Sequence, residues 1–350
     1  MFLLAMACTT SAPQGVLLVT IDTWRADHLS ETHTPNVWAL GGARFRDAWS
    51  PIGLTTAAHA SLFTGQLPPK HGLRGNNHHG YHLPPEAVTI AERFQGHGWA
   101  TGGFVSAFPA HLSDGFDTFS SPRSGERAGQ IAVDEAQAWI REQQGSWFAW
   151  VHLYEPHGPY EGHGATDKDR YAQEVAKADA LLKPLFQQVE GSWVVVTSDH
   201  GEVHEEESCG WQHARSSSPL VLRVPMVVAG PDIAEQWPDR QVGLTDLHDT
   251  LLELPGLADG TTVFEQTRTI WVGESGYCDP ACAPGCSPKG FVGKDRVAYG
   301  NDGGKLLDRP GVGLIGDPVF QEAFRDYPLP TSEPSDPDLE EARALGYIQP

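Results

Sequence analysis

Three short apolar runs constrain the fold of this chain more than any other feature. Each is rich in Val, Leu, Ile or aromatic residues without polar alternation, which is typical of parallel strands buried on both faces. They occupy residues 16–21, 147–153 and 193–197. A helical pattern over residues 132–143 precedes the second run, and another over residues 171–188 precedes the third. Strands joined by helices predict an α/β domain with a large, mostly parallel sheet.

Polar residues that can bind a cation follow these predicted strands. Asp22 ends the first run, His157 lies in a Pro-rich loop after the second, and Asp199 and His200 follow the third. The carboxyl ends of parallel strands meet at one edge of a sheet, and ligands bind outside that edge. Carboxylate and imidazole groups there can hold one divalent cation. A single strand-end Asp such as Asp22 can instead be a helix N-cap.

The stretch of residues 54–72 predicts a loop that turns into a helix. A Thr-Thr-Ala-Ala-His run passes directly into Ala-Ser-Leu-Phe-Thr-Gly. The free N–H groups at a helix start attract anions, so this turn can present the Thr55 hydroxyl to an anionic centre. A polar, Gly-rich loop with Lys70, Asn76 and Asn77 follows, and a plain turn explains these residues equally well.

The order of these motifs resembles the sulfatase family of the alkaline phosphatase superfamily. The family motif reads Cys or Ser, any residue, Pro-Ser-Arg, then Ala-Ser-Leu-Leu-Thr-Gly. Matching back from residues 60–65 puts Thr55 on the nucleophile position and His59 on the Arg, with Ala57 and Ala58 in place of Pro and Ser. This stretch of the chain is therefore a variant of the family motif.

The resemblance implies a fold and a domain organisation. The expected fold is α/β and alkaline-phosphatase-like, with a large, mostly parallel central sheet flanked by helices and a small C-terminal α+β subdomain. The sulfatase-like catalytic domain would span residues 16–256, and residues 257–350 would form the small subdomain and tail. The N-terminal residues themselves, rather than this resemblance, indicate a truncated lipoprotein signal or anchor over residues 1–15.

The resemblance also implies the members of the active site. Asp22, Asp199, His200 and Thr55 would hold one divalent cation, with calcium, magnesium, manganese and zinc all open. A second cation between His157 and His213 is the less favoured arrangement. The expected catalytic residues are Thr55, His213, His157 and His59. Of these, His213 or His157 would protonate the leaving group. The expected substrate-binding residues are Lys70, Asn76 and Asn77.

The residue types at two positions bear on the cation and the substrate. Thr23 stands where calcium-dependent members have a second Asp, which removes one carboxylate. Family sulfatases convert Cys or Ser to formylglycine, and Thr55 cannot be converted. Because water can open a threonyl phosphate, phosphoryl or phosphonyl esters are favoured over sulfuric esters. An envelope phosphoalcohol transferase and a catalytically inactive, sulfatase-like binding protein remain as alternatives.

Charge and the N-terminal residues bear on partners and location. The chain has 45 acidic and 24 basic residues, a formal net charge of -21, which argues against nucleic-acid binding. An anionic substrate, expected to be a small-molecule, glycan or lipid ester, therefore needs a local positive site. The apolar start followed by Cys8 resembles a lipoprotein signal. It predicts a bacterial cell-envelope or periplasmic location with lipid anchoring through Cys8, and oligomeric state stays open.

Overall fold

The computed structural model describes residues 15–76, 83–107, 112–123, 125–204, 206, 213–276, 295–309, 312–325 and 327–328. The proposed anchor residue Cys8, the other cysteines and Asn77 lie outside these ranges. Among the helices of the described ranges, none combines the length and hydrophobicity of a membrane-spanning segment.

The main sheet is mostly parallel, as the apolar runs predict. In the described part of the chain it has the strand order β4-β3-β5-β1-β6-β7-β2-β8. Every strand runs in the same direction except β7, which is antiparallel to its neighbours β6 and β2. The strands are β1 (Gly15–Ile21), β2 (Ala43–Trp49), β3 (Ala100–Val105), β4 (Thr118–Ser120), β5 (Trp147–Leu153), β6 (Trp193–Thr197), β7 (Arg223–Ala229) and β8 (Gln241–Gly243).

Helices cover both faces of this sheet. They are α1 (Pro35–Trp38), α2 (Thr55–Thr64), α3 (Pro68–His71), α4 (Ile90–Gly96), α5 (Gly129–Glu142), α6 (Asp167–Gln188), α7 (Pro219–Leu222) and α8 (Asp246–Glu253). Val16 and Leu18 of β1 belong to a core shared with α2, α4 and α8, whereas Leu17 and Val19 belong to a core shared with α1, α5 and α6. Because successive side chains of a strand point to opposite faces, β1 has no polar side.

Helix α4 is shorter than its sequence pattern suggests. The apolar spacing over residues 84–99 predicts one helix of that length, but α4 begins at Ile90. The Thr89 hydroxyl accepts a hydrogen bond from the Glu92 N–H, and the Glu92 carboxylate accepts one from the Thr89 N–H. This reciprocal capping box satisfies N–H groups at the start of the helix and fixes its first turn there.

A small antiparallel sheet follows the main domain. It has the order β12-β11-β10-β9, with β9 (Ile270–Glu274), β10 (Arg296–Gly300), β11 (Lys305–Arg309) and β12 (Gly313–Gly316). Its Trp271 and Tyr299 pack in one cluster with Trp49 of β2 and Leu222 of α7. The ring of Tyr299 stacks on Trp49 with centroids 4.6 Å apart. The small sheet therefore packs against the end of β2 and against α7.

Candidate metal centre and active site

Three potential metal ligands meet at the carboxyl ends of two adjacent strands. Asp22 directly follows β1, and Asp199 and His200 come just after β6, which pairs with β1 in parallel. One ligand atom from each lies within 4.8 Å of the others, and all three side chains are buried. Parallel pairing of the two strands explains this convergence, because it brings their carboxyl ends to the same edge.

The polar atoms of this group fit a divalent cation. Asp22 Oδ1, Asp199 Oδ2 and His200 Nε2 are buried without a hydrogen-bond partner among the described residues. His200 Nε2 lies 3.4 Å from Asp199 Oδ2 and 4.0 Å from Asp22 Oδ1. Burying polar atoms without partners is unfavourable. A cation coordinated by these three atoms would remove that cost, so the residues present suit the metal that the motifs imply.

The charge of the site points to the same conclusion. Burial raises the pKa of the Asp199 carboxyl, and the nearby Asp22 carboxylate raises it further. Two buried carboxylates so close to one another repel when both are ionised. A divalent cation would match their combined charge and let both stay ionised.

Backbone strain marks the residue that follows Asp22. Thr23 has φ = 54°, which is unfavourable for a β-branched residue. Its N–H donates to Asp199 Oδ1 at 3.3 Å, and its carbonyl accepts a hydrogen bond from the Tyr171 hydroxyl at 2.8 Å. These bonds hold the strained turn and connect the end of β1, where Asp22 lies, to Asp199. Strain of this kind persists where the surrounding structure enforces a particular site geometry.

Thr55 is the first residue of α2, and its hydroxyl lies next to the metal ligands. Its Oγ1 donates to Asp22 Oδ2 at 3.2 Å. Thr55 is only partly buried, whereas the rest of α2 is buried, so the hydroxyl is the accessible end of a core helix. The Asn76 side-chain oxygen accepts the Thr56 N–H at 3.0 Å and thereby supports the start of the helix.

The other predicted anion-binding residues have different surroundings. His59 is fully buried one turn after Thr55, and its Nδ1 donates to the Thr55 carbonyl at 2.7 Å. Its Nε2 lies 2.9 Å from Thr20 Oγ1, so both ring nitrogens are engaged inside the protein. Lys70 is exposed on α3 and joins none of these contacts in the described part of the chain. The catalytic role of His59 and the substrate-binding roles of Lys70 and Asn76 stay predictions.

Two further histidines lie beside the metal ligands. His213 stacks on His200 with ring centroids 4.4 Å apart and lies 5.2 Å from the ring of His157. His157 Nδ1 donates to the Gly158 carbonyl at 2.7 Å, which leaves Nε2 as its free nitrogen. His213 Nδ1 donates to Glu202 Oε2 at 3.0 Å. The structure thus brings together three histidines that are far apart in the sequence.

The two histidines differ in their tendency to hold a proton. Burial alone would lower the pKa of His213, but the charge of Glu202 and its hydrogen bond outweigh burial and raise that pKa above its usual value. For His157, burial dominates and lowers the pKa. His213 is therefore the better proton donor of the pair, and His157 is the better acceptor.

Sequence reasoning assigned no role to two residues of this region. Glu202 follows the Asp199-His200-Gly201 turn, and only its distance to His213 reveals the pair. His152 lies near the end of β5, with Nε2 3.5 Å from Asp22 Oδ2. A histidine near the end of an otherwise apolar strand is a signal for such a residue, since it needs a polar partner in the sheet interior.

Comparisons with known proteins agree on one family. The family model described as Sulfatase matches residues 14–257. Arylsulfatase A of Bos taurus is 35% identical over 116 residues, which covers 28% of this chain and 22% of that enzyme. The chain thus matches less than a quarter of the length of this curated relative.

Two solved structures share the fold over nearly their full length. Ps i-CgsB in complex with k-i-k-neocarrahexaose has a TM-score of 0.72 and 15% identity, covering 97% of this chain and 98% of that one. The phosphonate monoester hydrolase of Agrobacterium radiobacter has a TM-score of 0.69 and 18% identity, covering 96% of this chain and 94% of that one. At these identities the likeness concerns the fold.

Proposed function

This chain belongs to the sulfatase family, and from that membership we propose that it is a metal-dependent hydrolase of sulfuric or phosphoric esters with Thr55 as its nucleophile. The structural likeness bears out the alkaline-phosphatase-like α/β fold that the motifs imply. One observation carries the proposal. The Thr55 hydroxyl donates to Asp22 Oδ2, next to three buried ligand atoms that have no partner in the described structure.

The proposed reaction begins at Thr55. Asp22, Asp199 and His200 would hold the cation, which when bound lowers the pKa of the nearby hydroxyl and offsets negative charge on the ester. Asp22 Oδ2 accepts the hydrogen bond of Thr55 and so orients its Oγ1. Thr55, which is partly exposed, releases its proton to solvent, its Oγ1 attacks the phosphorus or sulfur atom, and the bond to the leaving alcohol breaks. The N–H groups at the start of α2 would attract the anion, apart from that of Thr56, which donates to Asn76 Oδ1.

His213 and His157 transfer the protons in the proposed reaction. His213, whose Nδ1 is held by Glu202, gives its proton to the departing alkoxide, because the charge and hydrogen bond of Glu202 raise its pKa. Water then attacks the phosphorus or sulfur atom of the ester on Thr55, and the departing Thr55 oxygen regains a proton from solvent. His157, whose burial lowers its pKa, accepts a proton from that water through its free Nε2. The proton returns to His213 through solvent and completes the cycle.

Phosphoric and phosphonic esters are the favoured substrates. A phosphonate monoester hydrolase and a 2-O GAG sulfatase, which has a TM-score of 0.67, both share the fold, so the fold does not decide between phosphonic and sulfuric esters. The residue type at the nucleophile position favours phosphorus over sulfur, because Thr55 lacks the second hydroxyl that lets a sulfated formylglycine collapse by elimination. A threonyl phosphate can be opened by attack of water at phosphorus. The leaving group is proposed to be a small-molecule, glycan or lipid alcohol.

Initial rates on matched esters test the proposal. Protein stripped with EDTA is refilled separately with calcium, magnesium, manganese or zinc and assayed on 4-nitrophenyl sulfate, phosphate and phenylphosphonate. We expect a metal-dependent phosphate or phosphonate rate well above the sulfate rate. A dominant sulfate rate would overturn the argument from Thr55. The absence of turnover with every metal would count against a hydrolase and favour a transferase or a binding protein.

A further inference from the structure

Tyr171 is a buried polar residue that the proposed reaction does not use. It lies on α6, and its side chain is completely buried. Its hydroxyl accepts a hydrogen bond from the Arg25 N–H at 2.8 Å and donates one to the Thr23 carbonyl at 2.8 Å. The hydroxyl proton goes to Thr23 because a carbonyl can only accept. Tyr171 therefore holds two backbone groups of the turn that begins at Asp22.

All the backbone N–H groups of this turn, residues 22–25, donate to partners elsewhere in the chain. In sequence order, the acceptors are the Leu153 carbonyl at 2.8 Å, Asp199 Oδ1 at 3.3 Å, Ser198 Oγ at 3.0 Å and the Tyr171 hydroxyl at 2.8 Å. The first three acceptors lie at the carboxyl ends of β5 and β6. Tyr171 instead reaches the turn from a helix that covers the sheet, so its contact joins two layers of the fold.

The turn needs this support because of Thr23. Its φ of 54° is unfavourable for a β-branched residue. Its hydroxyl is buried and has no hydrogen-bond partner among the described residues, so the side chain adds no polar contact that would hold the turn. Without the Tyr171 hydroxyl, the buried Thr23 carbonyl and Arg25 N–H would lose these partners. Thr23 would then relax towards a negative φ.

Relaxation of this turn would move two of the candidate metal ligands. Asp22 directly precedes Thr23, and the Thr23 N–H binds Asp199 Oδ1, while Asp199 Oδ2 is the oxygen left without a partner in the described structure. We propose that Tyr171 is a positioning residue of the cation site and acts through the strained backbone of Thr23. This inference depends on the proposed metal centre, but not on the nucleophile or the ester.

The ring of Tyr171 has packing contacts that do not involve its hydroxyl. It packs edge-on against the rings of His28 and His204, with centroids 5.0 Å and 4.8 Å apart. Tyr171→Phe therefore removes the two hydrogen bonds and keeps the ring. Tyr299→Phe is the matched control, because Tyr299 is also buried and its hydroxyl also donates to a backbone carbonyl, that of Ser217, at 2.9 Å.

Calorimetry measures the effect on the cation site. Full-length protein is stripped of metal and titrated separately with Ca²⁺, Mg²⁺, Mn²⁺ and Zn²⁺, and the cation that binds the wild type most tightly is used for the variants. We expect Tyr171→Phe to weaken binding at least about tenfold, since residues that orient metal ligands have effects of this size. Tyr299→Phe should stay within about twofold of the wild type, because its hydroxyl orients no ligand.

Thr23→Gly separates positioning from general damage. Glycine adopts a positive φ without steric cost, so a turn with this substitution depends less on the Tyr171 hydroxyl. We expect Tyr171→Phe to cost at least about threefold less affinity in the Thr23→Gly background than in the wild-type background. A merely structural role of Tyr171 predicts equal losses in the two backgrounds. Equal losses, or an unchanged affinity of Tyr171→Phe, would overturn the proposal.

Amide hydrogen exchange of the metal-free protein tests the turn itself. Peptides that contain residues 22–25, followed by mass spectrometry, should exchange at least about tenfold faster in Tyr171→Phe and at the wild-type rate in Tyr299→Phe. Unchanged exchange in Tyr171→Phe would contradict the proposed support of the turn.

None of these measurements uses an ester. Coupling between the two substitutions in a protein that binds the cation but cleaves no ester would refute the proposed hydrolase and leave this inference standing. Metal-dependent ester cleavage together with equal losses in the two backgrounds would refute only this inference. A wild type that binds none of the four cations would overturn both proposals.

Discussion

Thr55 is the residue on which the proposed chemistry depends most. Its hydroxyl combines partial exposure, a helix start and a hydrogen bond to Asp22 Oδ2. We expect Thr55→Ala to lower kcat by at least about a thousandfold, because the nucleophile is lost. Thr55→Ser, which keeps the hydroxyl, should stay within about tenfold of the wild type. Stopped assays on 4-nitrophenyl phosphate with the preferred metal give both values.

Two controls accompany this substitution. The melting temperature and the far-UV circular dichroism of Thr55→Ala should match the wild type, since the methyl group of Ala fits a partly exposed helix start. Mass spectrometry of the wild-type peptide that contains Thr55, quenched during turnover, should show an added phosphoryl group. Full activity of Thr55→Ala would end the assignment of this nucleophile.

Glu202 sets the protonation of His213 and therefore the pH dependence of the reaction. Its carboxylate raises the pKa of His213, so the acid form persists to higher pH. In Glu202→Gln the charge is lost and burial lowers that pKa. We expect the alkaline limb of the kcat/KM profile to move to lower pH, since an acid catalyst works only below its pKa.

Glu206→Gln is the matched control for this pH profile. Glu206 lies on the same loop, but its carboxylate pairs with Arg25 at 2.8 Å. This variant should keep the wild-type alkaline limb. A Glu202→Gln profile that coincides with the wild type would exclude His213 as the group titrating in that limb.

At the scale of elements, the turn after β6 is held by close packing against α7. The Gly201 N–H donates to the Val221 carbonyl at 2.7 Å, and a Cβ on Gly201 would lie 2.1 Å from the Leu220 carbonyl oxygen. We expect Gly201→Ala to push the turn away from α7 and displace Asp199 and His200. Metal affinity, measured by calorimetry, should fall at least about tenfold because ligand geometry is lost.

Gly145→Ala is the control for the effect of a methyl group on a turn. No heavy atom lies within 4 Å of the position of its Cβ, so the change should leave metal affinity and melting temperature unaltered. If Gly201→Ala bound the cation as tightly as the wild type, the close contact with Leu220 would not be what holds the ligand turn in place.

At the scale of the whole molecule, metal binding should contribute to stability. Ligands that bind only the folded state stabilise it by about 2.7 kcal/mol at a free concentration of 100 times Kd. In a chain of this size that amounts to a rise in melting temperature of roughly 4 °C. We expect EDTA to lower the melting temperature of the metal-refilled protein by about this amount. Differential scanning calorimetry measures the change.

His200→Ala serves as the reference for the effect of EDTA. Without this ligand the melting temperature should no longer respond to metal or chelator, whatever the intrinsic stability of the variant. Equal melting temperatures of the refilled wild type with and without EDTA would argue against a tightly bound cation at Asp22, Asp199 and His200.

The sequence alone identified the strands and the residues that follow them. The apolar runs are β1, β5 and β6, and the polar residues after them reach one edge of a mostly parallel sheet. This was predictable because strand burial is a local pattern and parallel pairing fixes where strand ends meet. The grouping of Asp22 with Asp199 and His200 follows from that rule.

Only the tertiary structure decided how the polar atoms are paired. The contact of His213 with Glu202, the full burial of His59 and the approach of His152 to Asp22 depend on segments that are distant in sequence. The Thr20 hydroxyl contacts three side chains from two other elements, His59 of α2 and both Trp150 and His152 of β5. Sequence patterns report which groups are polar, but whether a buried group has a partner is a property of everything packed around it.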